Sequence, residues 1–141
     1  MERFRRSFEK FERAFKRYEE VVKSPALESM FSKEFLVEIT TKRFEYTYEA
    51  MWKCVRDFLR ELGVECGSPR SCFRELIREG VVQECMEPVL SEIIRIRNEL
   101  VHVYDFKRAE VLFRRVRSRE ILEAVETVYT ALKDRLRSEE L

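Results

Sequence analysis

Residues 4–22, FRRSFEKFERAFKRYEEVV, bring Phe4, Phe8, Phe11, Phe15, Tyr18 and Val22 back every three or four positions, with Arg, Lys and Glu between them. That period puts the large apolar side chains on one stripe of an α-helix and the charges on the other. The helix is expected to end near Lys23, because Ser24 precedes Pro25 and a residue before proline is pushed out of helical geometry.

The same period continues outward. Tyr48, Met51, Val55, Leu59 and Leu62 form a second stripe, with Lys53, Arg56, Asp57 and Arg60 outside it, which predicts a helix from about Ser32 to Leu62 stopped by Gly63. Ser68-Pro69 reads as an N-cap followed by proline at the first helical position, opening a short helix with Cys72, Phe73, Leu76 and Ile77 inward until Gly80. A further helix is expected from about Gln83. After Asp105 an apolar pattern begins at Val111 and becomes regular at Leu122, Val125, Tyr129, Leu132 and Leu136, predicting a last helix with a charged outer face that reaches the C-terminus. No strand pattern competes. The expected fold is all-α: an antiparallel up-and-down four-helix bundle with one additional short helix, residues 1–141 forming a single domain.

Composition supports long helices and narrows the function classes. The chain has 141 residues, 45% hydrophobic and 39% charged, with only three Gly and three Pro to make turns. No apolar run approaches the roughly 20 residues that span a bilayer, and Met1 leads into charged residues rather than a signal sequence, so a cytoplasmic, non-membrane protein is expected. The formal net charge of +1 gives no strong overall attraction to nucleic acid; an RNA contact would need a local basic patch. Cys54, Cys66, Cys72 and Cys85 lack CxxC spacing and share the chain with one histidine, a poor zinc set that reads as reduced structural thiols. No metal site and no cofactor are expected. Asn98 and Gln83 are the only amide side chains, a scarcity that with abundant Glu and Arg hints at a thermophilic source.

One segment breaks its own pattern. Leu90, Ile93, Arg97, Leu100 and Tyr104 share a stripe, which places Arg97 among apolar neighbours. Leaving a guanidinium unpaired there costs several kcal/mol, so it pairs with a carboxylate, reaches a cleft or faces a subunit interface. Asn98, His102 and Asp105 form a polar row on another face of the same helix. On an ideal helix Arg97 and His102 lie about 140° apart, so aiming both at one point requires a frayed helix end or a two-fold dimer lining a shared cleft. Histidine is the side chain whose ordinary pKa, roughly 6.5, suits proton transfer near neutrality. Arginine can hold a phosphate by paired hydrogen bonds. Read without further context, a lone histidine near a helix end is a partner of the helix dipole or a surface residue.

The residues Arg97-Asn98-Glu99-Leu100-Val101-His102-Val103-Tyr104 resemble the R-x4-H-x-Y motif of HEPN proteins, in the branch of nucleotidyltransferase substrate-binding and HepT-like proteins. The block Arg43 to Lys53, and Ser68-Pro69-Arg70 followed by Phe73-Arg74-Glu75, resemble the same family, so that the likeness covers roughly residues 40 to 105. It implies a helical homodimer acting with a minimal nucleotidyltransferase antitoxin. In HepT-like members it implies a metal-independent RNase whose motif tyrosine is nucleotidylated. Carried onto this chain, Arg97 and His102 are the catalytic pair, Tyr104 is the modification site and Asn98 has a supporting role. The alternative is a non-catalytic module that binds the nucleotidyltransferase or presents its substrate. Tyr46, Trp52 and Lys53 are left out of the site, since aromatic positions at helical spacing usually belong to a core.

Overall fold

The computed structural model describes residues 1–140; the last residue of the expected helix and domain lies outside them. The described residues are all-α: α1 (Glu2–Lys23), α2 (Pro25–Met30), α3 (Lys33–Glu61), α4 (Pro69–Arg78), a 3-10 turn (Glu84–Met86), α5 (Glu87–Leu100), α6 (Phe106–Val116) and α7 (Arg119–Glu140).

The stripe of α1 buries Phe4, Phe8, Phe11, Phe15, Tyr18 and Val21. Val21 rather than Val22 takes the innermost place at its end. Fully burying an aromatic or aliphatic side chain of this size contributes roughly 1.5–3 kcal/mol, so this stripe is a principal source of stability. Phe8, Phe11 and Phe15 all meet the ring of Tyr129, at centroid distances of 5.5, 5.9 and 5.0 Å, which fastens α1 to α7. The Tyr18 hydroxyl donates to the Val116 carbonyl at the end of α6. This satisfies a polar group in a fully buried place, and burial pushes the phenol's pKa well above its ordinary value.

Several sequence expectations need correction. Helix α2 was not expected: within PALESM only Leu27 is even half-buried, so six residues carry no readable stripe. The expected last helix is two helices. Asp105 caps α6 by accepting from the Lys107 N–H at 3.2 Å, and the chain breaks at Ser118, whose hydroxyl donates to the Arg115 carbonyl at 2.6 Å. Asp57 is 4% exposed rather than on the outer face; its carboxylate accepts from Arg56 Nε at 3.2 Å, because α3 is enclosed on more than one side. Leu62, expected in the stripe, is exposed, since the helix has already ended at Glu61.

The expected stops and caps are where the chemistry puts them. Ser32 accepts from the Phe35 N–H at 3.2 Å to start α3, and Gly63 ends it at φ +80, a conformation that costs glycine little. Ser68 and Ser71 form a capping box with Pro69 in the first turn of α4. Just before that helix the reduced-thiol expectation fails: Cys66 and Cys72 form a disulfide, with Cα atoms 5.1 Å apart. The tight turn through Gly67 and Ser68 folds Cys66 back over the first turn of α4, a proximity that a motif search cannot see. Cys54 and Cys85 are free.

Candidate functional site

Helix α5 ends at Leu100, and the following turn carries His102 out of the helix; its N–H donates to the Glu99 carbonyl at 3.0 Å. The expected polar row Asn98, His102 and Asp105 therefore does not lie on one helix. His102 belongs to the α5–α6 turn and Asp105 to the cap of α6. The departure from helical geometry nevertheless brings Asn98, His102 and Tyr104 to one place, the wall of an open cleft of about 1060 Å³. Tyr104 is 95% exposed there.

Arg97 turns the other way. Its Nη2 donates to Glu49 Oε1 on α3 at 3.1 Å, and the guanidinium lies over the Tyr48 ring, 5.6 Å from its centroid. Of the three outcomes open for a guanidinium in an apolar stripe, this chain takes the carboxylate. Glu49 is a hub: its Oε2 accepts from Trp52 Nε1 at 3.3 Å and lies 3.7 Å from Lys53 Nζ. Burial pushes the Tyr48 phenol up to about 12, opposed by the positive charges of Arg97 and Arg70. Trp52 is half-buried, whereas Tyr46 is exposed rather than core; Lys42 lies over its ring at 5.8 Å.

The cleft is lined by α4, α5, the α5–α6 turn and α6, and three guanidinium groups reach it: Arg70, Arg95 and Arg108. Arg95 sits between Glu92 at 3.7 Å and Glu99 at 3.3 Å, and Arg108 pairs with Glu99. Glu92 is itself gripped by Arg115, whose Nη2 donates to it at 2.6 Å and holds its carboxyl below the usual carboxylate range. Arg70 forms no ion pair with any described residue. Among the described residues no group of three or more His, Cys, Asp or Glu side chains is placed to hold a metal ion.

Of the sequence-derived residues, the chain thus unites Asn98, His102 and Tyr104 and sets Arg97 on the neighbouring α3 face. Sequence reasoning missed Glu49, Arg70, Glu99 and Arg108. A signal existed for Glu49, because an arginine within an apolar stripe demands a carboxylate on the facing helix. None existed for Arg108, which only the turn at His102 brings into the cleft.

Residues 2–134 match the family of nucleotidyltransferase substrate binding protein like chains. The chain belongs to that family. Among solved structures it is similar to ttk003001694 from Thermus thermophilus, with 26% identity over 86% of this chain and 98% of that one and a TM-score of 0.74. It also shares its fold with a chain of a mutant toxin-antitoxin MntA-HpeT, with 17% identity over 95% of this chain and 99% of that one and a TM-score of 0.75. Among proteins of curated function none matches at a significant level. No helix of the described residues is long and apolar enough to cross a membrane.

Proposed function

We propose that this chain is a HepT-like toxin: a metal-independent RNase that works as a homodimer in the cytoplasm and is controlled by a minimal nucleotidyltransferase antitoxin. In this reading it is one domain whose four long helices run up and down as an antiparallel bundle. A disulfide does not conflict with that location, because intracellular proteins of hyperthermophiles keep them, and a thermophilic source fits the scarcity of amide side chains.

The observation that carries the reading is the shared wall of His102 and Tyr104. A group able to move protons and an exposed phenol both line one cleft that three arginines reach. A ribose 2′-hydroxyl attacks the adjacent phosphate and gives its proton to one His102. The partner protomer's histidine gives a proton to the departing 5′-oxygen, leaving a 2′,3′-cyclic phosphate and a free 5′-hydroxyl. Arg97 stabilises the charge that builds on the phosphate. In one chain it faces α3, so the two-fold arrangement is required to bring it to a shared site, and Asn98 orients the substrate.

One observation favours the alternative, a binding module for the nucleotidyltransferase: Glu49 already neutralises Arg97, and carboxylates already neutralise two of the cleft's arginines. Incubation of the purified chain with single-stranded RNA separates the two. Cleavage is expected to persist in EDTA and to vanish in His102→Ala and in Arg97→Ala with helicity intact; cleavage that needs a metal, or that survives both changes, removes the mechanism. Light scattering is expected to give a dimer at micromolar concentration.

A further inference from the structure

The three guanidinium groups of the cleft are not equivalent. Arg95 and Arg108 already have carboxylate partners in Glu92 and Glu99, whereas Arg70 is exposed and has no ion pair with any described residue. A guanidinium with free donors offers a phosphate two parallel, charge-assisted hydrogen bonds; one held by a carboxylate must first give up that partner.

The backbone beneath Arg70 is fixed on both sides. It occupies the first turn of α4, directly after Pro69, inside the Ser68–Ser71 capping box and between the disulfide-bonded Cys66 and Cys72. Cys72 is fully buried, so this clamp is anchored in the core. These constraints restrict the backbone that carries the Arg70 side chain, which reduces the backbone entropy lost when that side chain takes hold of a ligand.

We propose that Arg70 is a substrate-binding residue of the cleft, taking a phosphodiester of single-stranded RNA by a bidentate contact from the α4 wall. This rests on the RNA-cleavage reading above and adds to it a residue outside the R-x4-H-x-Y segment. The uncompensated charge and the clamped backbone have no other evident use: Arg70 supports neither the core nor any ion-pair network.

The test uses a fluorescent 2′-O-methyl oligouridylate, which cannot be cleaved because its attacking hydroxyl is blocked, and anisotropy titrations at several salt concentrations. The proteins are the wild type, Arg70→Gln, Arg70→Lys and Arg74→Gln, the last removing an equal charge one turn further along α4 and outside the cleft. All four are checked for equal helicity. Arg70→Gln is expected to weaken binding roughly tenfold and to reduce the salt slope by about 0.7, the value for one phosphate contact on a single strand. Arg70→Lys should keep the slope and recover only part of the affinity, and Arg74→Gln should match the wild type. Equal losses in Arg70→Gln and Arg74→Gln would reduce the effect to general charge and overturn the proposal. Wild-type affinity in Arg70→Gln would overturn it while leaving RNA binding intact. No binding by the wild type would remove the RNA reading and Arg70's role together.

Discussion

The Arg97 guanidinium donates to Glu49 Oε1 across 3.1 Å, joining α5 to α3 at the place where the α5 stripe would otherwise bury an unpaired charge. Both side chains stay partly exposed, at 34% and 37%. That exposure decides what the pair is worth, since ion pairs open to solvent contribute only about 0–1 kcal/mol. The bond holds a direction more than it holds the fold.

Glu49→Gln is therefore expected to lower the melting temperature by no more than a few degrees, with the difference shrinking in high salt. Cleavage should respond more, by about tenfold in kcat/KM, because the guanidinium keeps its place over Tyr48 and loses its aim. Thermal melts beside cleavage rates decide it. A large fall in melting temperature with unchanged cleavage would make the pair purely structural.

What could be read from the sequence follows from how each signal is encoded. The stripes of α1 and α3, the stops at Ser24-Pro25 and Gly63 and the start at Ser68-Pro69 are local, set by side-chain period and by backbone preferences of single residues. The break at Ser118 is not, because an apolar pattern runs across it and what ends α6 includes the Tyr18 hydroxyl reaching from α1. The site divides in the same way. Arg97, Asn98, His102 and Tyr104 stand in one short segment. Glu49 and Arg70 reach it from 48 and 27 positions away in sequence, through packing that no periodicity records. The disulfide was hidden because the turn that brings Cys66 to Cys72 is visible only once α4 is placed.

Glu92 should make stability depend on pH. Its carboxyl lies below the usual range, chiefly through the hydrogen bonds from Arg115 and against a smaller opposing effect of burial. A depressed folded-state pKa means that the stabilisation is fully present above the unfolded value, roughly 4.3. It is lost as pH falls through the folded value. In urea titrations the gap between wild type and Glu92→Gln is expected to be no more than about 1 kcal/mol near neutrality, since solvent screens part of the pair, and to narrow steadily below about pH 5. A gap that stays constant into acid would show that Glu92 acts through shape rather than charge.

The Cys66–Cys72 bond gives a thiol count as well as a stability effect. Unfolded, unreduced protein should titrate two thiols, those of Cys54 and Cys85. Reduction opens a short loop, which in the chain-entropy account costs about 2 kcal/mol and should lower the melting temperature by roughly 5–10 °C. Four thiols in the untreated protein would contradict the bond outright.

Tyr104 has almost nothing to lose by substitution and, on the proposed function, a great deal to control. It is 95% exposed, in the turn that follows α5, so Tyr104→Phe should leave stability within about 0.5 kcal/mol of the wild type. The phenol lines the same cleft as His102 and Arg70. Transfer of AMP from ATP to its oxygen, releasing pyrophosphate, would put a phosphate anion and a nucleoside where an RNA strand has to lie. Incubation with a minimal nucleotidyltransferase of the proposed kind and ATP, followed by intact-mass measurement and RNA cleavage, reads both consequences. The wild type is expected to gain the mass of one or more AMP groups and to lose cleavage. Tyr104→Phe should gain none and continue to cleave in the partner's presence. The binding-module alternative gives a different pattern, in which the substitution alters complex formation and no cleavage is present to lose. Equal mass gain on both proteins would place the acceptor elsewhere, and loss of cleavage in Tyr104→Phe before any partner is added would move the phenol from the control of the reaction into the reaction itself.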